Sequence, residues 1–350
     1  MEQYLKNCWY VAAFAEEVTR DMLSRKLLNE PVVLYRKENG DPVALTDSCP
    51  HRFAPMSEGV LIRDDVRCPY HGLKFDAEGS CVDNPHAPDG KAPKKARLHS
   101  YPLLERFGVI WIWPGDPGKV DESILPHFEF LADDNKYKVL HGYLHANGNY
   151  QLVSDNLMDL THAPYIHPEF VVPDSTIEDQ LNATETKLIR EGNSVTAWRL
   201  RKNTKPNLGT ISIFGYDKEV LVNSRSHMTW YPPSLIKFDA GTWVVGTDPD
   251  EGMAIPQAHL ITPETETTCH YFYCAARNQK LDDPAADKML YNMLEHAFRT
   301  QDEPMIGMVQ DRMGTSDLNS LDPVLLASDA GPMAARRNLR KLIEDEEKNV

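Results

Sequence analysis

The chain has 350 residues, with 37 basic and 52 acidic side chains and a formal net charge of -15. That surplus of negative charge repels phosphate backbones and anionic lipid headgroups, which disfavours nucleic acid and membrane surfaces as partners. With 41% hydrophobic and 25% charged residues the composition is that of a folded globular protein, and the length predicts two domains.

In chain order, the start MEQYLKNCWYVAAFAEEV holds an apolar run from Trp9 to Ala15. Acids come directly after it and no small-residue cleavage signal closes it, so it reads as a first strand. No apolar stretch approaches the roughly 18 residues that a membrane-spanning helix requires. Six cysteines, at positions 8, 49, 68, 81, 269 and 274, are too few and too scattered for a disulfide framework and point to a reducing cytoplasm. Short apolar runs broken by turn residues continue to Pro114, and Asn39-Gly40 between two of them predicts a hairpin with a type I′ turn. A last strand, Val109 to Trp113, ends in a Pro/Gly cluster, which closes a small β domain over residues 1–118. Residues 119–350 change character: GNYQLVSDNLMDLTHAPYIH is helical, strand-like runs extend from Ile177 to Ala275, and a long helical stretch starts near Pro284. Helix, strands, helix predicts an α+β domain whose sheet lies against its closing helix, and the tail ARRNLRKLIEDEEKNV reads as a helix with a mixed-charge face.

Within the first domain, CPHRFAPMSEGVLIRDDVRCPYHG (residues 49–72) holds two short loops, each with one thiol and one imidazole: Cys49 with His51, and Cys68 with His71. A structural zinc site of two sulfurs and two nitrogens is one reading, but zinc sites of that composition usually place two cysteines on one loop and two histidines on the other. A Rieske [2Fe-2S] centre requires two thiolates on one iron and two imidazoles on its neighbour, which two equivalent mixed loops satisfy. Neutral imidazoles in place of two thiolates raise the potential of such a cluster, so that it accepts single electrons from an ordinary reductase. Gly59 and Gly72 stand where tight loops and close backbone approach are expected.

A second set lies in DNLMDLTHAPYIH, residues 155–167. On a helix Asp155, Asp159 and His162 would form one polar stripe until Pro164 disturbs it, with His167 beyond. A solvated helix face explains such a stripe equally well. Two histidines five residues apart can also supply two positions of a 2-His-1-carboxylate triad for non-haem Fe(II), whose open positions take O₂ and substrate. The carboxylate must then come from elsewhere. Asp283 before Pro284 starts a helix on which Leu290, Leu294, Phe298 and Val309 mark an apolar stripe, and Asp302 falls on that stripe. A carboxylate aimed at a core needs a partner or a metal, whereas Glu295 and Glu303 read as solvated. Pro304 interrupts the helix close by.

Together these residues resemble the terminal oxygenase component of the Rieske non-haem iron oxygenases, in the vanillate and dicamba O-demethylase group. The resemblance runs through Asn7 to Ala13, both cluster loops, VIWIWPGD, DNLMDLTHAPYIH, HLITPETE and SDAGPMAARRNL. It implies a Rieske domain followed by a helix-grip (START-like) catalytic domain with an antiparallel sheet, assembled as a homotrimer in which one subunit's cluster faces its neighbour's mononuclear iron. Carried onto this chain, it implies one [2Fe-2S] cluster on Cys49, His51, Cys68 and His71, and one Fe(II) on His162, His167 and Asp302. Asp159 would bridge the two iron-bound histidines, Asn156 would stand beside the iron, and His259 would contact substrate. The implied activity is O₂-dependent oxidation of a small aromatic substrate, by O-demethylation with release of formaldehyde, or by N-dealkylation or ring hydroxylation. No Gly-x-Gly-x-x-Gly fingerprint occurs, so NAD(P)H and flavin would enter through a separate flavin/iron-sulfur reductase, directly or through a ferredoxin. Two other classes compete: a Rieske electron carrier, which the length of chain beyond the cluster opposes, and a zinc-stabilised interaction module, which would be colourless.

Overall fold

A computed structural model describes residues 4–348, which form two units. The first comprises Tyr4–Leu125 with Thr262–Thr265, and the second comprises Pro126–Ile261 and Glu266 onward. The division therefore falls past the Pro/Gly cluster at which the sequence draws it. Among the described residues no helix is long and apolar enough to cross a membrane, and all six cysteines are free.

The first unit consists of short antiparallel strands: β1 (Tyr10–Phe14), β2 (Leu23–Leu27), β3 (Glu30–Arg36), β4 (Pro42–Thr46), β5 (Val60–Ile62), β6 (Asp65–Arg67), β7 (Lys74–Phe75), β8 (Cys81–Asp83), β9 (Leu103–Arg106) and β10 (Val109–Ile112). They pair as β1-β10-β9, β2-β3-β4 and β5-β6-β7-β8. The expected hairpin joins β3 to β4, but its turn differs from type I′. Only Gly40 has positive φ (+93°), and Gly40 N–H donates to Lys37 O at 2.9 Å, so the turn centres on Glu38-Asn39 with Gly40 next in the left-handed region. Val33, Tyr35, Leu45, Met56, Val66 and Phe75 form an apolar core to which Cys49 and Cys68 also belong.

In the second unit β11 (Lys138–Ala146) leads to α1 (Tyr150–Met158), α2 (Ala163–Ile166) and α3 (Ile177–Asn182). Then come β12 (Thr184–Glu191), β13 (Ser194–Thr204), α4 (Leu208–Phe214), β14 (Val222–Tyr231), β15 (Leu235–Val244), β16 (Met253–Ala254), β17 (Gln257–Pro263, of which Thr262 and Pro263 count with the first unit) and β18 (Cys269–Arg277). Three helices close the unit: α5 (Pro284–Glu295), α6 (Glu303–Met313) and α7 (Ala330–Glu347). The strands make one large sheet, in the order β11-β18-β17-β15-β14-β13-β12 with β16 added on β15. β17 and β18 are buried along their whole lengths, the pattern of strands covered on both faces. The first half of α7 is buried through Met333, Ala334, Ala335 and Leu339, so the closing helix is a core element there, and its exposed charges begin only at Arg337. Added to Gly331, a Cβ would meet Ala197 on β13 at 3.4 Å and Met158 on α1 at 3.6 Å, ordinary contact distances, so α7 packs against both elements there.

Candidate active site

The two loops of the first unit share one backbone motif. Cys49 N–H donates to Ala54 O and Phe53 N–H donates back to Cys49 O, both at 2.8 Å. In the second loop Cys68 N–H donates to Leu73 O at 2.8 Å, and Gly72 N–H donates to Cys68 O at 3.2 Å. Each loop turns at its fifth residue through positive φ, +59° at Phe53 and +78° at Gly72. Gly59 sits where a Cβ would come within 2.2 Å of Arg67 O, so the hairpin that carries the second loop requires glycine there. Before the first loop, buried Asp47 accepts hydrogen bonds from Ser24 Oγ, Ser57 Oγ and Ser57 N–H, each at 2.7 Å, which fixes the approach to Cys49.

The motif buries both thiols and leaves His51 exposed and His71 half-buried. Their rings approach edge to face, with centroids 4.5 Å apart. Burial, with the nearby Cys68 thiol adding to it, pushes the Cys49 thiol up to about 11. Burial therefore favours the protonated thiol, and a metal bound there would displace that proton to solvent and neutralise the thiolate left behind. Two sulfurs on the inside and two neighbouring imidazole rings at the surface form a donor set that fits a [2Fe-2S] cluster with an iron of each kind.

In the second unit α1 ends sooner than the helical stripe predicts. Its start is fixed by buried Asn149, whose side chain accepts Gln151 N–H at 2.9 Å and whose amide donates to Glu266 O at 2.8 Å. The helix stops at Met158, and Asp159 leaves helical geometry, its carboxylate accepting Thr161 N–H at 2.9 Å. The expected row of Asp155, Asp159 and His162 is therefore split, because Asp159 caps the next turn and Pro164 enters α2 near its start. Asp155 turns to Arg336 of α7 instead, with Arg336 Nε at 2.8 Å and Nη2 at 2.6 Å from its Oδ2.

What the broken helix does is orient two imidazoles. His162 Nδ1 lies 2.6 Å from Asp159 O, and His167 Nδ1 lies 2.6 Å from Gln301 Oε1. Both partners are acceptors, so each Nδ1 carries the proton and each Nε2 is left with its lone pair. Asp302 Oδ1 stands 3.6 Å from His162 Nε2 and 3.3 Å from His167 Nε2, and Asn156 Nδ2 donates to the same oxygen at 3.1 Å. One donor atom from each of His162, His167 and Asp302 lies within 4.8 Å of the others, a group that could hold a metal ion. Burial lowers the His162 pKa, with the Asp302 charge opposing it, which keeps the ring in its ligating form.

Asp302 continues the buried row of Leu290, Leu294 and Phe298, whereas Val309 is exposed. Residues His296–Asp302 form a π-helix, in which Glu303 N–H reaches back to Phe298 O. Pro304 explains the widening: it has no N–H to donate, and its ring would crowd the carbonyl four residues back in an α-helical turn. The proline thus widens the helix at the carboxylate without ending it, and α6 runs on from Glu303. Glu295 accepts Tyr273 O–H at 2.6 Å and pairs with Arg299, and Glu303 accepts from Asn147.

Asn156, His162, His167 and Asp302 line a cavity of about 220 Å³, walled by α1, α3, α4, α5 and the facing strands. Its apolar lining includes Phe170, Phe214, Met228, Phe238, Leu294 and Phe298. Of the aromatics in residues 202–250, Trp230 is core, and Phe214 and Phe238 face the cavity. His259 also lines it. Burial pushes its pKa down to about 3, its Nδ1 is 2.7 Å from Tyr271 Oη, and its buried Nε2 has no partner. With the Tyr271 hydroxyl donating to Nδ1, the Nε2–H becomes a donor. Sequence reasoning missed Gln301, Gln180, Arg199 and Arg201; the alternation of the two arginines along one strand was the only signal available.

Residues 8–102 match the Rieske [2Fe-2S] domain, and residues 146–345 match the vanillate O-demethylase oxygenase C-terminal domain. The chain is 34% identical to the oxygenase component of dicamba O-demethylase from Stenotrophomonas maltophilia, across 97% of this chain and 98% of that one. It is equally 34% identical to the oxygenase component of chloroacetanilide N-alkylformylase from Rhizorhabdus wittichii, across 98% and 97%. A crystal structure of dicamba monooxygenase bound to 3,6-dichlorosalicylic acid is similar with a TM-score of 0.91 and 34% identity, covering 99% of both chains. The chain belongs to the Rieske non-haem iron oxygenases. The two relatives just given are the oxygenase components of an O-demethylating and an N-dealkylating system.

Proposed function

We propose that the protein oxidises a small aromatic substrate by O-demethylation, releasing formaldehyde. The observation that carries this reading is a pair of imidazoles, each anchored through Nδ1, set against the buried Asp302 carboxylate in the wall of a cavity of about 220 Å³. Cys49, His51, Cys68 and His71 would hold the Rieske cluster, and His162, His167 and Asp302 would hold one Fe(II). When bound, the cluster supplies single electrons and the ferrous ion supplies O₂ activation at the positions its three protein ligands leave open.

The chain's own residues do the positioning. Asp159 O and Gln301 Oε1 fix the tautomers of the two histidines, and Asn156 holds the Asp302 carboxylate in place. The apolar wall around Phe238 and Phe298 excludes water and holds an aromatic ring, so that its methoxy carbon stays near the ligand group. The overall change consumes the methyl ether, O₂, two electrons and two protons. It yields a phenol, formaldehyde and water, through a hemiacetal whose C–O bond breaks. Asp159, with its carboxylate beside His162, would couple the two metal centres. Electrons would come from NAD(P)H through a flavin/iron-sulfur reductase, directly or through a ferredoxin. The description of the 34%-identical relative as an oxygenase component supports that division of labour. A cytoplasmic homotrimer is the assembly this reading implies, supported by the family resemblance and the free thiols.

N-dealkylation is the second reading, favoured by the likeness to the chloroacetanilide N-alkylformylase component. The test is aerobic incubation with NADH, a flavin/iron-sulfur reductase and a panel of methoxy- and N-alkyl-aromatics. Formaldehyde in step with demethylated product supports the proposal. Ring-hydroxylated product without formaldehyde contradicts it.

A further inference from the structure

The chain is acidic as a whole, but the loop that leaves β8 is not. Residues 84–97, NPHAPDGKAPKKAR, carry four basic side chains and one acid in a protein whose net charge is -15. Lys91, Lys94, Lys95 and Arg97 are all exposed. Asp89 pairs with Lys91 at 3.3 Å, in a bridge so open to solvent that it neutralises little. Asp83, where the loop begins, is half-buried. Among the described residues neither Lys94 nor Lys95 has a carboxylate within ion-pair distance.

A second set of observations ties this loop to the two that carry the thiols and imidazoles. His86 Nε2 lies 2.9 Å from His71 O, and the two rings approach edge to face with centroids 6.3 Å apart. A Cβ on Gly72 would come within 3.2 Å of Pro85 Cγ, so the loops touch there as well. Internal bonds brace the basic loop. Asn84 N–H donates to Gly90 O at 2.8 Å, and Asn84 Nδ2 donates to Lys91 O at 3.1 Å. Ala96 N–H donates to Pro93 O at 2.8 Å, which turns the chain tightly and sets Lys94 and Lys95 on the corner. Arg97 is tied to Ser80 Oγ at 3.0 Å and Glu78 O at 2.9 Å. From the first thiol loop, exposed Arg52 adds a further cation next to His51. Fixed positive charge thus stands beside the two imidazoles.

We propose that residues 84–97, with Arg52, are the docking surface for the electron donor, and that the donor is an iron-sulfur protein with an acidic face around its own cluster. The residue types favour a visiting partner over a permanent one. Permanent interfaces are apolar at their centre and poor in lysine, which sets a second copy of this chain behind a donor as the occupant. Exposed charges of one sign instead steer encounter and let the partner leave. One electron passes: the donor's cluster is oxidised, the Rieske cluster is reduced, and no bond forms or breaks. A plant-type ferredoxin has the lower potential of the two, so the transfer runs downhill. The surface rests on the Rieske reading of Cys49, His51, Cys68 and His71, and names the chemistry of the partner that reading requires.

The probes are a reduced plant-type [2Fe-2S] ferredoxin of acidic surface and the same ferredoxin with its surface carboxylates amidated. Stopped-flow absorption follows reduction of the chromophore in the holoenzyme, and calorimetry measures binding of the oxidised ferredoxin. The rate constant is expected to fall at least about tenfold between roughly 20 and 200 mM salt, and by a like factor on amidation. Lys94→Gln combined with Lys95→Gln should lower rate and affinity about tenfold at low salt, and the paired changes to Glu should lower them further. The paired changes to Arg should keep both at wild-type values. Lys341→Gln, an exposed position on α7, should alter neither. An unchanged visible spectrum and the same end point with dithionite verify that each variant is folded and loaded. A salt-independent rate, glutamine variants that react as wild type does, or a wild type that dithionite reduces and ferredoxin does not would overturn the docking surface. Lysine variants with a changed sedimentation coefficient would overturn it too, by assigning the loop to a contact between copies. A wild type without a chromophore that dithionite can bleach sinks the Rieske reading itself, and the docking surface with it.

Discussion

The thiols and imidazoles of the first unit come from residues 49–71 on two copies of one loop, whereas His162, His167 and Asp302 are drawn from two helical segments far apart in sequence. In the first region the local backbone makes the site: the loop hydrogen bonds and positive-φ turns fix where each sulfur and ring points, and the thiols are part of the core beneath them. In the second region packing makes it. A capped and broken helix presents two histidines, and a π-helix caused by Pro304 brings in the carboxylate. A site made of loops fails together with its domain, while a site made by packing can lose its metal and keep its fold.

The largest expected effect breaks that comparison open. Cys68→Ser should bleach the visible chromophore, abolish turnover and lower the stability of the first unit, since a core thiol and the metal bond proposed for it would be lost together. His162→Ala should abolish turnover equally while leaving the chromophore and the melting midpoint close to wild type. Visible absorption and thermal melting measured on both variants check the contrast, and a bleached His162→Ala would remove it. Smaller effects probe the groups that act through the ligands. Gln301→Leu, which frees His167 Nδ1, should weaken iron affinity by about 10–100-fold, read by chelator competition. Asp159→Asn keeps the acceptor for Thr161 N–H and the backbone oxygen for His162 but loses the charge. It should retain both metals and lower single-turnover product yield by about 10–100-fold.

The smallest effect concerns the loops alone. Phe53 holds positive φ where its counterpart is Gly72, at a cost of about 1–2 kcal/mol that glycine would relieve, less what glycine gives back in the unfolded chain. Phe53→Gly should therefore stabilise the protein by at most about 1 kcal/mol, read by denaturant midpoint.

The difference between the regions also decides what the sequence reveals. The pairing of Cys49 with His51 and of Cys68 with His71 on two like loops is legible because residue spacing and loop geometry are both local. The hairpin at Asn39-Gly40 is legible in place but not in turn type, since the choice depends on how many residues the flanking strands leave between them. The polar stripe from Asp155 to His162 misleads because helical periodicity is silent on Asp159 capping a new turn. Asp302 stands out as a carboxylate on a buried stripe, yet Pro304 reads as a disruption until the π-helix shows it to be part of the arrangement. Gln301 and Gln180 carry no pattern at all: an amide becomes informative only once tertiary packing shows what its oxygen accepts or its nitrogen lacks.

The central claim, that one chain holds two chemically distinct iron centres, is tested most directly by counting iron and acid-labile sulfide in anaerobically purified wild type and Asp302→Ala. About three irons and two sulfides per wild-type chain, falling to about two and two in the variant with an unchanged cluster spectrum, is the result predicted. A wild type that never exceeds two irons when supplied with Fe(II), or a variant that keeps the third, would contradict it.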